Sequence, residues 1–170
     1  GLLSLIEIYE AKVEKINGEI KRRFKQDTVE YLKTIPGISE NISPLVYAET
    51  GGVSRFSCAN AYVSYIGFDV IIVQSGKYEF RGKISKQGNK YLRKAFYQAA
   101  DVARKYIEEY KQYYAKIFER KTGFKPEERK KVNSRSPHKL IVVAIARKLA
   151  KIAYSVMAEK RPYYPNPKFA

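Results

Sequence analysis

The run "GNKYLRKAFYQAADVARKYIEEYKQYYAKIFERK", residues 88–121, constrains the fold more than any other part of the chain. Leu92, Ala95, Phe96, Ala99, Val102, Tyr106, Tyr110, Tyr113 and Ile117 recur at intervals of three or four. At that period side chains share one face of an α-helix, so the spacing predicts one long amphipathic helix. Its tyrosines could offer platforms for stacked bases, but at helical spacing they read as core and rim. A later stretch, "HKLIVVAIARKLAKIAYSVMAEK", is apolar enough to be buried along one side.

The chain before and between these helices divides at its glycines and prolines. Leu2, Ile6, Tyr9, Val13, Ile16 and Ile20 form a heptad-like seam, predicting a coiled-coil-like connector over residues 1–28. Gly18 weakens it by about 1 kcal/mol relative to Ala. The seam either packs on its own domain or meets another copy or domain. In "VEYLKTIPGISENISPLVYAETGG" a helix ends near Thr34, Pro36-Gly37 makes a tight turn, and a second helix stops at Gly51-Gly52 with Pro44 interrupting its early turns. This is a helix-hairpin-helix-like unit. Such a hairpin can turn backbone N–H groups to a phosphate without reading sequence, or serve only as a packing unit.

"RFSCANAYVSYIGF" predicts a short helix with Ala59, Tyr62, Val63 and Ile66 inward, ended by Gly67. "DVIIVQ" reads as a strand, and "YEFRGKIS" can return antiparallel to it with "SGK" at the connection. "TGFKPEERKKVNSRSPHK" reads as a surface loop with a helical turn after Pro126. Ser136-Pro137 reads as a helix start, and His138 as a surface residue beside that cap rather than a general base. The expected fold is therefore mainly α (α+β): a helical domain with a helix-hairpin-helix-like unit and a small β-hairpin, preceded by a coiled-coil-like helix. Residues 29–156 form the main domain, and 157–170 a proline-rich tail that docks or trails.

Charge divides the chain sharply. Up to Val70 there are 8 Lys+Arg against 9 Asp+Glu; after it there are 25 against 8. The net charge of +16 thus belongs to the later part, which points to a polyanion, with nucleic acid first. No apolar run approaches the roughly 20 residues of a membrane span, and the start carries acids where a signal peptide needs a basic region. Cys58 is the one cysteine, so no internal disulfide can form, and zinc-ligand spacing is absent. The expected place is the cytoplasm, associated with the nucleoid.

The basic segment "VIIVQSGKYEFRGKISKQGNKYLRK" holds a small hydroxyl, Ser75, after the strand and before Gly76. Glycine lets a phosphodiester approach the backbone. Lys77, Arg81, Lys83, Lys86, Lys90, Arg93 and Lys94 follow, with Ser85, Gly88 and Asn89 among them. The helix start after Asn89 adds N–H groups and a dipole that favour an anion, and Arg93 could aim a planar fork at phosphate oxygens. Such donors suit phosphoryl transfer, where charge spreads over non-bridging oxygens. A serine hydroxyl needs a base or a metal, and Asp69 and Glu79 are too few for a two-metal site. From the residues alone, Ser75 is either part of a passive phosphate-binding loop or a nucleophile activated from elsewhere.

The segments "IPGI", "AET", "RF", "YIGF", "QSGK", "GKISKQGNKYLRKAFYQAA" and "AIARKLAKIAY" occur here in order. In that order the chain resembles the C-terminal transposase domain of the bridge-RNA-guided insertion-sequence recombinases, which are related to the pilin-gene DNA invertases. The resemblance spans about residues 29–156. It implies that Ser75 is a nucleophile forming a covalent phosphoserine link to DNA. It also implies a separate RuvC-like domain whose acids hold Mg²⁺, so that no metal ligands are expected in this chain. Lys77, Arg81, Lys83, Ser85, Lys86, Asn89, Lys90 and Arg93 are the expected nucleic-acid contacts. Pro36, Gly37, Gly76 and Gly88 are the expected turn residues. The partners implied are DNA, a guide RNA and further copies of the chain joined through the N-terminal helix. Ser39 departs from the glycine common there. The alternative is a non-catalytic helix-hairpin-helix-type module that binds DNA or RNA.

Overall fold

The computed structural model describes residues 1–23, 26–75, 78–131 and 137–165, with backbone alone for 21, 70–75, 78–83, 129 and 131. Among these residues there are seven α-helices and one small antiparallel sheet, a mainly α architecture. The helices are α1 (Leu2–Arg23), α2 (Asp27–Lys33), α3 (Ile42–Thr50), α4 (Ala59–Ile66), α5 (Lys90–Tyr106), α6 (Glu108–Thr122) and α7 (His138–Glu159). Strands β1 (Val70–Ser75) and β2 (Tyr78–Ile84) pair antiparallel, from Val70 opposite Ile84 to Ser75 opposite Tyr78, with an irregularity between Val70 and Ile72. Two single 3-10 turns, Val53–Arg55 and Pro126–Lys131, complete the described elements.

Helix α7 is the centre of the core. It meets α2, α4, α5 and α6, and its most extensive partner is α5. Both helices bury alanines: Ala95, Ala99, Ala100 and Ala103 on α5, and Ala146, Ala150 and Ala153 on α7. Ile141, Ile145 and Leu149 of α7 fill the remaining space together with Leu92 and Phe96 of α5. Each buried leucine or isoleucine of this kind contributes about 2 kcal/mol by leaving water.

The long helix expected from Gly88 to Lys121 is two helices. The chain breaks at Ile107, which is extended at φ −107° and ψ 119°. Periodicity could not reveal this, because the buried positions Phe96, Ala99, Ala103, Tyr110, Tyr114 and Phe118, with half-buried Ile107 among them, continue at intervals of three and four through the break. The signal lies in the charges instead. Arg104 and Lys105 close α5, while Glu108 and Glu109 open α6. Cations at a helix C-terminus and anions at an N-terminus each oppose the local end of the peptide dipole. The buried face also differs from the expected one. Tyr106 is 79% exposed and Val102 lies outside the core, whereas Tyr114 and Phe118 stack at 5.9 Å inside it.

His138 is a second departure from expectation. It is half-buried where α5, α6 and α7 meet, sharing a 2.9 Å hydrogen bond with the Tyr114 hydroxyl through Nδ1. Its Nε2 stands 3.9 Å from Asp101. Burial would raise the Asp101 pKa, but hydrogen bonds and charge from Lys105 and Arg104 outweigh it and hold the carboxyl below its ordinary value. The network ties three helices by polar contacts that no local spacing reveals.

The helix-hairpin-helix-like unit packs inward at its turn. Pro44 does not interrupt α3; it sits in the first turn, where its missing N–H is not needed. Gly37 has φ +85°, and a Cβ there would lie 2.2 Å from the Ala99 carbonyl oxygen of α5. The turn is therefore fixed against the core helix, between buried Ile35 and Ile38, and this closeness disfavours the reading in which it presents itself to a phosphate. The tail docks as far as Tyr163. That residue's N–H donates to Thr34 Oγ1 at 2.7 Å, and its ring packs on the core.

Gly37→Ala meets both a left-handed backbone and the Ala99 carbonyl, so it should cost at least about 2 kcal/mol. Thermal melting of the variant should fall by roughly 4–8 °C or more. An unchanged midpoint would mean that the turn does not seat against α5.

Candidate functional site

The basic segment leaves the core and returns to it through the sheet. Phe68, just before β1, is fully buried, and Ile84, at the end of β2, packs against the core. The pairing extends past the strands: Ser85 N–H donates to Asp69 O at 2.7 Å, and Lys86 N–H to Gly67 O at 3.3 Å. The Asp69 carboxylate itself accepts from the Ser64 hydroxyl of α4.

Ser75 is the last residue of β1, its backbone opposite Tyr78. Two residues, Gly76 and Lys77, separate that pair, and both lie outside the described residues. The side chains of Ser75, Arg81 and Lys83 also lie outside them, so their predicted contacts are carried by strand position alone.

From Ser85 to Arg93 the side chains are defined. Lys86 is exposed, in the left-handed region at φ 55°. Gly88, at φ 150°, crosses the end of α4 so closely that a Cβ would lie 2.3 Å from the Tyr65 carbonyl oxygen and 2.8 Å from Gly67 N. Only glycine fits that crossing. Asn89 follows: its N–H donates to Tyr65 O at 2.9 Å, and its Oδ1 accepts from Tyr91 N–H and Leu92 N–H at 2.9 and 3.0 Å. Its Nδ2 donates to Glu49 Oε2 at 2.6 Å.

The start of α5 is thus not the open anion site expected from sequence. Asn89 occupies two of the N–H groups that a phosphate would need, and the rest of its amide is tied to Glu49. Arg93 likewise has a structural task. Its Nη1 donates to Ile66 O at 2.8 Å, satisfying a carbonyl at the end of α4. Lys86 and Lys90 remain exposed, with Lys90 Nζ 5.0 Å from the Tyr91 ring centroid. The predicted contact residues whose side chains are described, from Ser85 to Arg93, divide into exposed cations and a polar frame that joins the start of α5 to α3 and α4.

Glu49 and Tyr65 belong to that frame and were missed by sequence reasoning. Asn89 Nδ2 lies 3.5 Å from Tyr65 Oη, and the Tyr65 hydroxyl donates to Glu49 O at 3.4 Å. Forty residues separate Glu49 from Asn89, and no local spacing links them. Elsewhere Cys58, exposed at the start of α4, has its thiol pKa lowered chiefly by the Ala61 and Asn60 backbone N–H groups.

Among the described residues no three His, Cys, Asp or Glu side chains come together as a metal site requires. The described residues therefore offer no donor set that fits Mg²⁺. No helix among them is long and apolar enough to cross a membrane.

Residues 29–115, from the helical hairpin through α5 into α6, match the family model of the transposase IS116/IS110/IS902 family. The chain belongs to that family. It is also similar to the pilin gene-inverting proteins of Moraxella bovis and Moraxella lacunata, each 29% identical over 133 residues. Those residues make up 78% of this chain and 37% of each relative, so the match covers just over a third of the curated proteins' length. The matched family region contains the sheet, the Gly88 crossing and the Asn89 cap together.

Asn89→Ala should free the α5 start and cost about 1–2 kcal/mol. Asn89→Ser, which keeps a capping oxygen, should lose much less. Equal melting points for both variants and the parent would remove Asn89 from its capping role.

Proposed function

We propose that this chain is the C-terminal part of a DNA recombinase or transposase, and that Ser75 is its nucleophile. The single observation that carries the reading is the family membership of residues 29–115, with Ser75 at the strand end inside that region. The surplus of 25 Lys+Arg over 8 Asp+Glu after Val70 supports a polyanionic partner, with DNA first and a guide RNA second. The gene-inverting relatives, by their name, point the same way.

In this reading Ser75 Oγ attacks a DNA phosphorus. A Ser75 Oγ–P bond forms as the bond from phosphorus to one sugar oxygen breaks; the serine proton passes to a base, and the departing oxygen takes a proton. The cut strand is then held for exchange as a phosphoserine ester. In this reading, acids outside this chain would hold the Mg²⁺ that neutralises charge on the phosphate. Ser85 is a second hydroxyl in the basic segment, and its backbone is held at the end of the sheet by the bond from its N–H to Asp69 O.

Ser75→Ala in the full-length protein should abolish recombination while leaving DNA affinity within about twofold, since one neutral hydroxyl is lost and no cation. Ser85→Ala should still yield a covalent protein–DNA adduct. Mapping that adduct to any residue other than Ser75 would defeat the assignment.

Helix α1 supplies the oligomer contact in the same reading. Leu2, Ile6, Val13 and Ile16 of its seam are exposed, Leu2 by 81% and Ile16 by 58%. Two or more copies would bury them against each other. Sedimentation of the full-length protein should give several copies per particle; a strict monomer at micromolar concentration would remove α1 from this role.

A further inference from the structure

Arg55 is the sole Lys or Arg between Lys33 and Lys77, in the near-neutral part of the sequence. It ends the 3-10 turn after α3 and is exposed. Its guanidinium carbon lies 4.6 Å from the Tyr65 ring centroid and 4.9 Å from that of Phe56, within cation–π range of both. Among the described residues it has neither a hydrogen bond nor an ion pair.

The platform beneath it is rigid. Phe56 packs on Tyr62 at 5.2 Å and on Tyr65 at 5.1 Å, and the Tyr154 hydroxyl of α7 donates to the Phe56 carbonyl at 3.2 Å. Tyr62, in turn, is buried and hydrogen-bonded to Thr50 at 2.9 Å. Tyr65 also fixes where Arg55 lies. Its carbonyl receives the Asn89 N–H and its hydroxyl lies 3.5 Å from Asn89 Nδ2, so the ring under the guanidinium adjoins the start of α5, where the next residue, Lys90, is exposed. The nearby Glu49 carboxylate is engaged by Asn89.

An arginine ordered by stacking loses less freedom when its fork closes on a phosphate than a lysine swinging on its stem does. Stacking alone would explain the pose but not the unpaired donors; a solvated cation would explain the donors but not the pose. We infer that Arg55 is a backbone-phosphate contact for duplex DNA, pre-ordered on the Phe56–Tyr65 pair, and that the strand runs over the start of α5 between Arg55 and Lys90. This rests on the nucleic-acid reading above and extends the contact surface to a residue outside the basic half of the chain.

The test measures binding of the 170-residue chain to labelled duplex DNA and to structured RNA across a salt series. Arg55→Met keeps an apolar stem on the rings and removes the charge. It should weaken duplex binding about fivefold or more and lower the salt slope by about one. Arg55→Lys should fall between it and the parent. Lys12→Ala on α1, which removes the same charge elsewhere, should change binding by less than about twofold. A loss for Arg55→Met no larger than for Lys12→Ala overturns the inference and leaves the DNA reading standing. A loss confined to the RNA overturns the DNA assignment of Arg55. A parent chain with no affinity for duplex DNA overturns both. If Arg55→Met melts several degrees lower, the parent itself decides: its Arg55 Nε–Hε resonance should shift on titration with a short duplex, and an unmoved resonance refutes the contact.

Discussion

The close approach of small residues on α5 is the constraint from which the remaining arrangement follows. Alanines on α5 and α7 replace the larger side chains that would hold two helices apart, and the Ala99 carbonyl then lies within reach of the hairpin turn. Gly37 can occupy that place because it has no side chain. Once α2 and α3 are seated this way, Glu49 at the end of α3 comes to the start of α5 and meets Asn89. A packing choice made with alanines thereby positions a polar frame. The same frame holds α4, because Asn89, Gly88 and Arg93 all make their contacts with its last turn.

The functional region is built on an economy of donors. Donors that sequence reasoning assigned to phosphate are spent within the fold: Asn89 accepts the N–H groups at the start of α5, and the Arg93 guanidinium takes a carbonyl of α4. What faces solvent around them is side-chain charge on Lys86 and Lys90, with Arg55 alongside. Long exposed cations bind polyanions through counterion release more than through fixed geometry, so such a surface suits affinity better than sequence readout. Under the proposed function that division is reasonable: the chemistry would need one accurately placed oxygen, while the grip would need many replaceable charges.

Much of the fold was legible in the sequence, for specific reasons. Gly67 marks the end of α4, and the apolar spacing of α7 agrees with its buried face from Ile141 to Met157. The hairpin turn at Pro36-Gly37 and the helical turn after Pro126 carry their own punctuation. The break at Ile107 was hidden because the hydrophobic rhythm passes through it unchanged, while the Arg-Lys and Glu-Glu pairs around it do carry a sign of the ends. His138 was misplaced because its partners, Tyr114 and Asp101, stand 24 and 37 positions away in the chain. Of the candidate site, the cationic side chains were readable from composition. The Glu49–Asn89–Tyr65 cluster and the stacking under Arg55 were not, because tertiary contacts alone create them.

The bend at Ile107 has a bearing on how this family can vary. Hydrogen bonds still run into and out of it, from Ile107 N–H to Ala103 O and from Lys111 N–H to Ile107 O, so the two helices keep a common rotational phase. One residue added or removed between Ala103 and Tyr110 would turn the aromatic face of α6 by about 100° around its axis. Tyr114 would then swing away from His138, and Phe118 would be carried out to solvent. The packing on either side of this short joint therefore fixes its length.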